Sequence, residues 1–329
     1  MKIALFSAQS YDKEYFAQHN EEYAHEITFF DAPLDNKTTP LTKGYGAVCV
    51  FVNDNMNAQT IEEIATNGVR IIALRCAGFN NVDLEAAQKH NITVVRVPAY
   101  SPHAVAEHAI ALLFTLNRKT HKAYNRIRES NFSLEKLIGF DVHGKTVGVI
   151  GTGNIGKIFA EIIKGFGCRV LLYDIYPSDE LQEKGFEYVS LETLCEESDI
   201  ISLHCPLNDS TKHIIHAKSF NIMKQGVYII NTSRGGLINS KDAIEALKSG
   251  KLGALGIDVY EQEENLFFRD LSESIIQDDI IARLTTFPNV LITSHQGFFT
   301  QEALTEIAQT TLSNIRNFEQ DSATNVVEV

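Results

Sequence analysis

One glycine-rich turn constrains the fold of this 329-residue chain more than any other feature. Gly151, Gly153 and Gly156 form a G-x-G-x-x-G motif between an apolar run, TVGVI, and a helical pattern that we expect to stop at Gly167. In such a turn the first glycine permits a tight bend, the second lets the backbone approach a pyrophosphate, and the third lets the helix pack closely on the sheet. A chain with this unit is expected to build a parallel sheet with crossover helices.

The residues around the turn predict a dinucleotide site. Asn154 and Ile155 open the helix, whose free N–H groups and dipole favour a phosphate. Asp174 ends the next apolar run at about the 20-residue spacing expected for an acid that binds the ribose hydroxyls of NAD. Ile175 and Tyr176 follow it in place of arginine, so the sequence predicts NAD in preference to NADP. A glycine turn that binds nothing is disfavoured, because the strand, the helix and the acid are all present.

Two series of apolar runs predict two domains. The length exceeds the roughly 100 to 200 residues of a usual single domain. The first series occupies residues 3–7, 47–52, 70–76 and 92–97, and the second occupies 146–151, 169–174, 199–204, 227–231, 254–260 and 289–295. Ser101 and Pro102 have the types of an N-cap and a first helical residue, so we expect a long helix to leave the first domain there. A last helix, from about 300 to 318, is expected to return to it.

The helix after the glycine turn is predicted to be amphipathic. An apolar stripe at helical spacing is expected to pack on the sheet, and its members are Ile155, Ile158, Phe159, Ile162 and Phe166.

Composition excludes several classes of function. A net charge of −13 disfavours broad contact with nucleic acid. The cysteines are odd in number and form no C-x-x-C pair, so we expect buried free thiols and neither disulfides nor a thiolate metal site: Cys49, Cys76, Cys168, Cys195 and Cys205. His213 and His216 lack further ligands nearby, and we predict no metal site. No run has the length of a signal-peptide core or a membrane span, which predicts a cytoplasmic protein without a membrane partner.

Polar residues of catalytic type follow the runs of the second series. Ligands bind beyond the carboxyl ends of parallel strands, so these residues are expected to meet at one edge. They are Cys205 and Pro206, Thr232 and Arg234, Asp258 with Glu261, Glu263 and Glu264 shortly after it, and His295.

This set suffices to reduce a 2-oxo acid with NADH. Arginine suits the substrate carboxylate because its planar fork binds two oxygens, and histidine suits the proton donor because it titrates near neutral pH. The residues alone leave two questions open. His204 also ends a predicted strand and competes with His295, and the carboxylate that holds the donor is one of Glu261, Glu263 and Glu264.

The chain resembles the D-2-hydroxyacid dehydrogenase family over nearly its whole length. Seven segments occur in the family's order: AGFNNVDLEAA, VPAYSPHAVAEHA, VGVIGTGNIG, HCPLN, NTSRGGLIN, GIDVYEQE and TSHQGF. The resemblance implies two Rossmann-like or flavodoxin-like α/β domains, with a cofactor domain at 101–297 inserted into a substrate domain formed by 1–100 and 298–329. It also implies a homodimer or a dimer of dimers that associates through the cofactor domain.

The resemblance also assigns roles. By motif, the catalytic residues are Arg234, Glu263 and His295. Cys205, Pro206 and Asp258 fall where the family contacts the nicotinamide half of NAD, and Thr232 is grouped with them. The substrate is expected to meet Arg234 and His295 together with Ala77, Gly78, Tyr100 and Phe298, where Phe298 or Phe299 would wall a small pocket.

Tyr100 and the segment at 264–284 resemble the D-lactate branch of the family and imply the interconversion of pyruvate and D-lactate. Two alternatives remain. One is a dehydrogenase of a bulkier 2-hydroxy acid, and the other is an NAD-sensing corepressor that binds partner proteins.

Overall fold

A computed structural model describes residues 1–263 and 266–328 of the chain. The chain divides into two compact units: one comprises Met1–Ser101 with Phe298–Val329, and the other comprises Pro102–Gly297. Each unit contains a parallel sheet with helices, which confirms the predicted fold class of two parallel-sheet α/β domains.

The first unit contains β1 (Lys2–Leu5), α1 (Ser10–His19), β2 (Glu26–Phe29), β3 (Ala47–Val50), α2 (Ala58–Thr66), β4 (Ile71–Leu74), α3 (Leu84–Lys89) and β5 (Thr93–Val95). The second contains α4 (Pro102–Arg118), α5 (Thr120–Arg128), β6 (Thr146–Ile150), α6 (Asn154–Gly165), β7 (Arg169–Tyr173), α7 (Asp179–Glu183), β8 (Glu187–Tyr188), α8 (Leu191–Glu197), β9 (Ile200–Leu203), α9 (Ala217–Ile222), β10 (Val227–Asn231), α10 (Ser240–Ser249), β11 (Leu252–Ile257), α11 (Asp279–Thr285) and β12 (Val290–Ile292). The chain then returns to the first unit with α12 (Gln301–Glu319). Short 3₁₀ helices lie at Thr39–Thr42 and Gly235–Leu237.

The first unit is a five-stranded parallel sheet in the order β2-β1-β3-β4-β5. β2 was not predicted, because its four residues are only partly buried and carry little apolar signal. The side chain of Thr300 caps α12, and Ala308, Leu312 and Ile315 of this helix pack with residues of β1, β3 and β4. α12 lies in the first unit.

The C-terminal residues cover the edge of that sheet. The N–H of Val327 donates to the carbonyl of Val94, and the N–H of Arg96 donates to the carbonyl of Asn325. An edge strand offers unpaired backbone groups to other chains, so this short antiparallel segment satisfies groups on β5 that would otherwise be open.

The second unit is a seven-stranded parallel sheet in the order β12-β11-β10-β9-β6-β7-β8, with apolar clusters on both faces. α4 begins at Pro102 as predicted. The predicted stripe of α6 is correct at Phe159, which is fully buried, but wrong at Phe166, whose side chain is 44% exposed. The reason is that α6 ends at Gly165, so Phe166 lies at the C-cap, where its ring is 4.8 Å from that of Phe114.

All five cysteines are buried and free, as predicted. In the described part of the chain, no helix is long and apolar enough to cross a membrane.

A buried ion pair lies in the core of the first unit. Nε of Arg75 is 3.2 Å from a carboxylate oxygen of Asp12, and both side chains are almost completely excluded from solvent. Nη2 of Arg75 donates to the carbonyl of Ser7 at 2.9 Å, and its guanidinium lies 4.9 Å from the centre of the Phe51 ring. Because a buried charge that loses its partner keeps its desolvation cost, each member of this pair requires the other.

We expect Arg75→Met to lower the free energy of unfolding of the first unit by roughly 3 to 5 kcal/mol, because Asp12 is left buried and unpaired. Asp12→Asn combined with Arg75→Met should recover much of that loss. Lys13→Met, which removes an exposed pair with Asp31, is the matched control and should cost about 1 kcal/mol or less. Urea denaturation followed by circular dichroism measures all three. An equal loss in the single and double variants would contradict the role of the pair.

Candidate active site

The carboxyl ends of neighbouring strands form one edge of the seven-stranded sheet. Backbone hydrogen bonds join them: the N–H of His204 donates to Ile150, and the N–H of His295 donates to the carbonyl of Asp258 at 2.7 Å. The N–H of Asp258 donates in turn to Asn231 at 2.9 Å. Residues that follow β9, β10, β11 and β12 are therefore held side by side where a ligand of a parallel sheet binds.

The glycine turn has no room for side chains at two of its positions. Gly151 has φ +91°, and a Cβ there would lie 2.5 Å from the backbone nitrogen of Cys205. A Cβ on Gly156 would overlap the carbonyl oxygen of Gly151. Gly153 differs, because a Cβ there meets no atom within 4 Å, and no side chain caps the helix end that it begins. The N-terminus of α6, with Asn154 and Ile155, is thus open to a phosphate.

Asp174 lies beside this turn. One carboxylate oxygen accepts hydrogen bonds from the backbone and hydroxyl of Thr152 at 2.6 and 3.0 Å, and the other accepts from the N–H of Tyr176 at 3.0 Å. These contacts hold the carboxylate of Asp174 beside the glycine turn. The arrangement fits a dinucleotide whose ribose carries free hydroxyls.

The turn after β9 and the residues after β10 adjoin each other. The hydroxyl of Ser233 donates to the carbonyl of Cys205 at 2.7 Å, while Pro206 is exposed. Oγ1 of Thr232 is buried and has no hydrogen-bond partner among the described residues. A buried hydroxyl without a partner is costly, and a bound cofactor at this edge would satisfy it.

His295 contacts a carboxylate directly. Its Nδ1 lies 2.9 Å from Oε1 of Glu263, and Oε2 of Glu263 accepts a hydrogen bond from the N–H of Tyr260 at 2.8 Å. The carboxylate accepts, so Nδ1 carries a proton and donates it. Nε2 is then the ring atom that can exchange a proton with a bound molecule.

The other carboxylates are placed differently. Glu261 accepts from His213 at 2.7 Å and from the N–H of Ser240 at 2.9 Å. Glu264 lies outside the described residues. Of the two described candidates, Glu263 is the one that contacts His295.

His204, the alternative proton donor, is partly buried. Its Nε2 is 2.8 Å from Oγ of Ser202, and its ring packs 4.8 Å from that of Phe159. Burial lowers the pKa of His204 to about 3. A ring that is neutral at physiological pH has no extra proton to give, so this geometry disfavours His204 as the acid.

We expect His204 to make the protein less stable in acid. Its pKa lies below the ordinary 6.5 of an unfolded chain, so its contribution to stability is complete above pH 6.5 and is lost as the pH falls toward 3. Over this window the ring contributes a slope of up to about 1.4 kcal/mol per pH unit. His204→Leu should show a shallower fall in unfolding free energy than the parent protein by urea titration at several pH values. His143→Leu, at an exposed histidine, should keep the parent slope, and an unchanged slope in His204→Leu would refute the assignment.

Asp258 organises the loop that carries His295. Its buried carboxylate accepts from the backbone N–H of Gln296 and Gly297 at 2.9 and 2.8 Å, and from the hydroxyl of Thr293. Burial opposes ionisation, but the hydrogen bonds from His108 and Thr293 outweigh it and hold the pKa of Asp258 below its ordinary value. The sequence did not indicate this function, because its donors lie far away along the chain. The predicted contact of Asp258 with the cofactor stays a prediction.

Arg234 follows β10. Nη1 donates to the carbonyl of Ser233 at 2.7 Å, and the guanidinium forms no ion pair within residues 1–263 and 266–328. The next residue, Gly235, packs directly on the backbone of Tyr260 and Glu261, where a Cβ would overlap. This close approach holds the arginine segment against the loop that leads to Glu263.

The predicted substrate residues of the first unit form an aromatic group and a turn. The ring of Phe298 is buried and lies 6.0 Å from the rings of both Tyr100 and Phe51. Phe51 was not predicted, since it lies within an ordinary apolar run. Ala77 and Gly78 are partly exposed in the turn after β4. Phe299 differs from Phe298: it is half exposed and contacts Tyr11 edge to face.

The comparison with known proteins decides the family. A family model described as the NAD binding domain of D-isomer specific 2-hydroxyacid dehydrogenase matches residues 110–297. The chain belongs to this family. The protein is therefore an NAD-dependent oxidoreductase, and the glycine turn, the open end of α6 and Asp174 fit that cofactor.

Relatives of this family match nearly the full chain. D-lactate dehydrogenase of Escherichia coli K12 is 56% identical over 320 residues, which are 97% of each protein. The 2-hydroxyacid dehydrogenase homolog 1 of Schizosaccharomyces pombe is 53% identical over 319 residues, 97% of this chain and 96% of the relative. Among solved structures, apo D-lactate dehydrogenase from Escherichia coli superimposes with a TM-score of 0.92 at 52% identity over all of both chains. D-2-hydroxyisocaproate dehydrogenase gives 0.87 at 32% identity over 99% of both.

Proposed function

We propose that this protein is a D-lactate dehydrogenase that reduces pyruvate to D-lactate. The observation that carries the proposal is the 2.9 Å contact between His295 and Glu263 at the sheet edge of an NAD-binding unit. The identity of 56% to a D-lactate dehydrogenase over 97% of both chains supports the substrate.

His295 is the proposed proton donor. NADH, held by the glycine turn and Asp174, would supply the hydride for the carbonyl carbon of the substrate. The carbonyl oxygen must then gain a proton, and Nε2 of His295 gives it. Glu263 holds Nδ1 and balances the charge of the protonated ring, so that it orients the acid for this transfer.

Arg234 is the proposed anchor of the substrate. Its guanidinium keeps its charge and binds a carboxylate as a planar fork, and its lack of an ion pair in the described part of the chain leaves it able to bind one. We assign the unit of Met1–Ser101 and Phe298–Val329 to the substrate, with Ala77, Gly78, Tyr100 and Phe298 as its contacts. We assign Cys205, Pro206, Thr232 and Asp258 to the cofactor.

A bulkier 2-hydroxy acid is the second candidate. The structural similarity to D-2-hydroxyisocaproate dehydrogenase favours it, because a related scaffold accepts a branched substrate. Phe298 and its aromatic neighbours favour a small substrate instead, since large rings reduce the volume available to a side chain.

Purified protein with NADH, pyruvate and 2-oxoisocaproate separates these candidates. We expect the highest kcat/KM with pyruvate and D-lactate as the product, measured by NADH absorbance and a stereospecific assay. His295→Ala should lower kcat by at least about 10²-fold with NADH binding retained, because general acid catalysis typically supplies that much. His143→Ala is the matched histidine control. A preference for 2-oxoisocaproate would assign the protein to the bulkier substrate, and normal turnover of His295→Ala would refute the assignment of His295 as proton donor. Binding of NADH without turnover of either acid would favour the corepressor alternative.

We propose a homodimer, or a dimer of dimers, that forms through the NAD-binding unit. α5 and the segment that follows it carry a group of exposed apolar side chains, which monomers rarely display together. The group comprises Tyr124, Ile127, Phe132, Leu134 and Ile138, each more than half exposed. A dimer would cover these side chains.

Light scattering after size exclusion tests this assembly. Leu134→Glu combined with Ile138→Glu should give a monomer, because charge at a buried apolar interface is costly. Ile275→Glu is the control, since Ile275 is as exposed as Ile138 but lies outside the group. A monomeric parent protein, or an unchanged mass in the double variant, would contradict the proposed interface. We also place the protein in the cytoplasm, which cell fractionation tests.

A further inference from the structure

A histidine of the second unit lies behind the loop of His295. His108 is in the second turn of α4, and its side chain is 16% exposed. Its Nε2 lies 3.0 Å from Oγ1 of Thr293 and 3.4 Å from Oδ1 of Asp258. Neither the motifs nor the proposed mechanism assigns a function to this residue.

The hydrogen bonds around Thr293 define the direction of this contact. The hydroxyl of Thr293 donates its proton to Asp258. Its oxygen therefore accepts from His108, and the second neighbour of Nε2 is also an acceptor, a carboxylate. Nε2 of His108 must then carry a proton, which both the Nε2–H tautomer and the charged ring provide. The side chain at this position has to be a donor.

Asp258 connects this donor to the loop of His295. The carboxylate that receives Thr293 also binds the N–H groups of Gln296 and Gly297, and the carbonyl of Asp258 binds the N–H of His295. His295 itself has φ +50°, a left-handed conformation that a residue with a side chain adopts only when its surroundings hold it there. Asp258 and its donors supply that support.

We propose that His108 is a positioning residue for His295, acting through Thr293 and Asp258. Glu263 holds the ring of His295, whereas His108 holds the carboxylate that fixes its backbone. The inference rests on the proposed function, in which His295 is the proton donor. In this inference, a side chain of α4 keeps His295 in place without touching the substrate.

Removal of the donor should slow the proton transfer. We expect His108→Leu to lower kcat by roughly 10- to 100-fold, because a small misplacement of a catalytic group has such an effect. KM for pyruvate should change by less than about threefold, since Arg234, the proposed substrate anchor, is not altered. The solvent isotope effect on kcat in D2O should increase, because proton transfer then limits turnover. A purely structural role would lower the amount of folded enzyme and leave that isotope effect unchanged.

Two further variants test the chemistry of the contact. His108→Gln carries an amide N–H at a similar reach and should restore much of the lost kcat. Thr293→Val keeps the shape but removes the bridging hydroxyl, so it should reproduce the defect even if His108→Leu does not fold. His143→Leu controls for the loss of a histidine and should match the parent enzyme.

A double variant separates this inference from the proposed function. If His108 acts through His295, adding His108→Leu to His295→Ala should cause no further loss of kcat. The positioning role would be overturned if the losses of kcat in the two single variants multiplied in the double variant, or if both His108→Leu and Thr293→Val kept normal kcat. Either result would leave the assignment of His295 as proton donor unaffected. Normal turnover of His295→Ala alone would instead refute the proposed mechanism.

Discussion

The hydrogen bonds to the buried carboxylate of Asp258 hold together the edge of the seven-stranded sheet that carries His295. An ionised group excluded from water is stable only when donors surround it, and here the donors come from three parts of the second unit. One is on α4, one is at the end of β12, and two are backbone amides beside His295. The charge can therefore be satisfied only when helix, strand and loop are all in their native places. The hydrogen bonds to this one carboxylate therefore position the residues at this edge of the sheet.

The same sheet combines two different chemical environments. After β6 the turn consists largely of glycines, which carry no side chains, so its backbone amides can approach a phosphate. After β11 and β12, side chains make the contacts instead: His295 contacts Glu263, and Asp258 accepts a hydrogen bond from the N–H of Gln296. In the order β12-β11-β10-β9-β6, the strands β9 and β10 lie between the two environments. A parallel sheet makes this possible because all of its strands end at one edge, whatever their separation in sequence.

The sequence predicted features with a local signal and missed those that arise from distant contacts. The glycine turn, the start of α4 at Pro102 and the last helix from about residue 300 each depend on neighbouring residues. β2 has almost no such signal, and the position of Phe166 depends on where its helix ends. The contacts of His108 with residues 150 or more positions later leave no local pattern. Glu261 and Glu263 are indistinguishable by composition; the family resemblance favours Glu263, and the fold brings it into contact with His295.

The first unit is assembled from both ends of the chain, whereas the second is continuous. α12 supplies Ala308, Leu312 and Ile315 to a core that contains strand residues from Ile3 to Val95, and residues near 326 then cover β5. During synthesis the strands near the N-terminus thus leave the ribosome long before the helix that completes their core. The unit that begins at Pro102 has all of its own strands available sooner. We therefore expect the second unit to fold before the first, although the first begins to be synthesised earlier. The strands near the N-terminus must then remain soluble until α12 has been made.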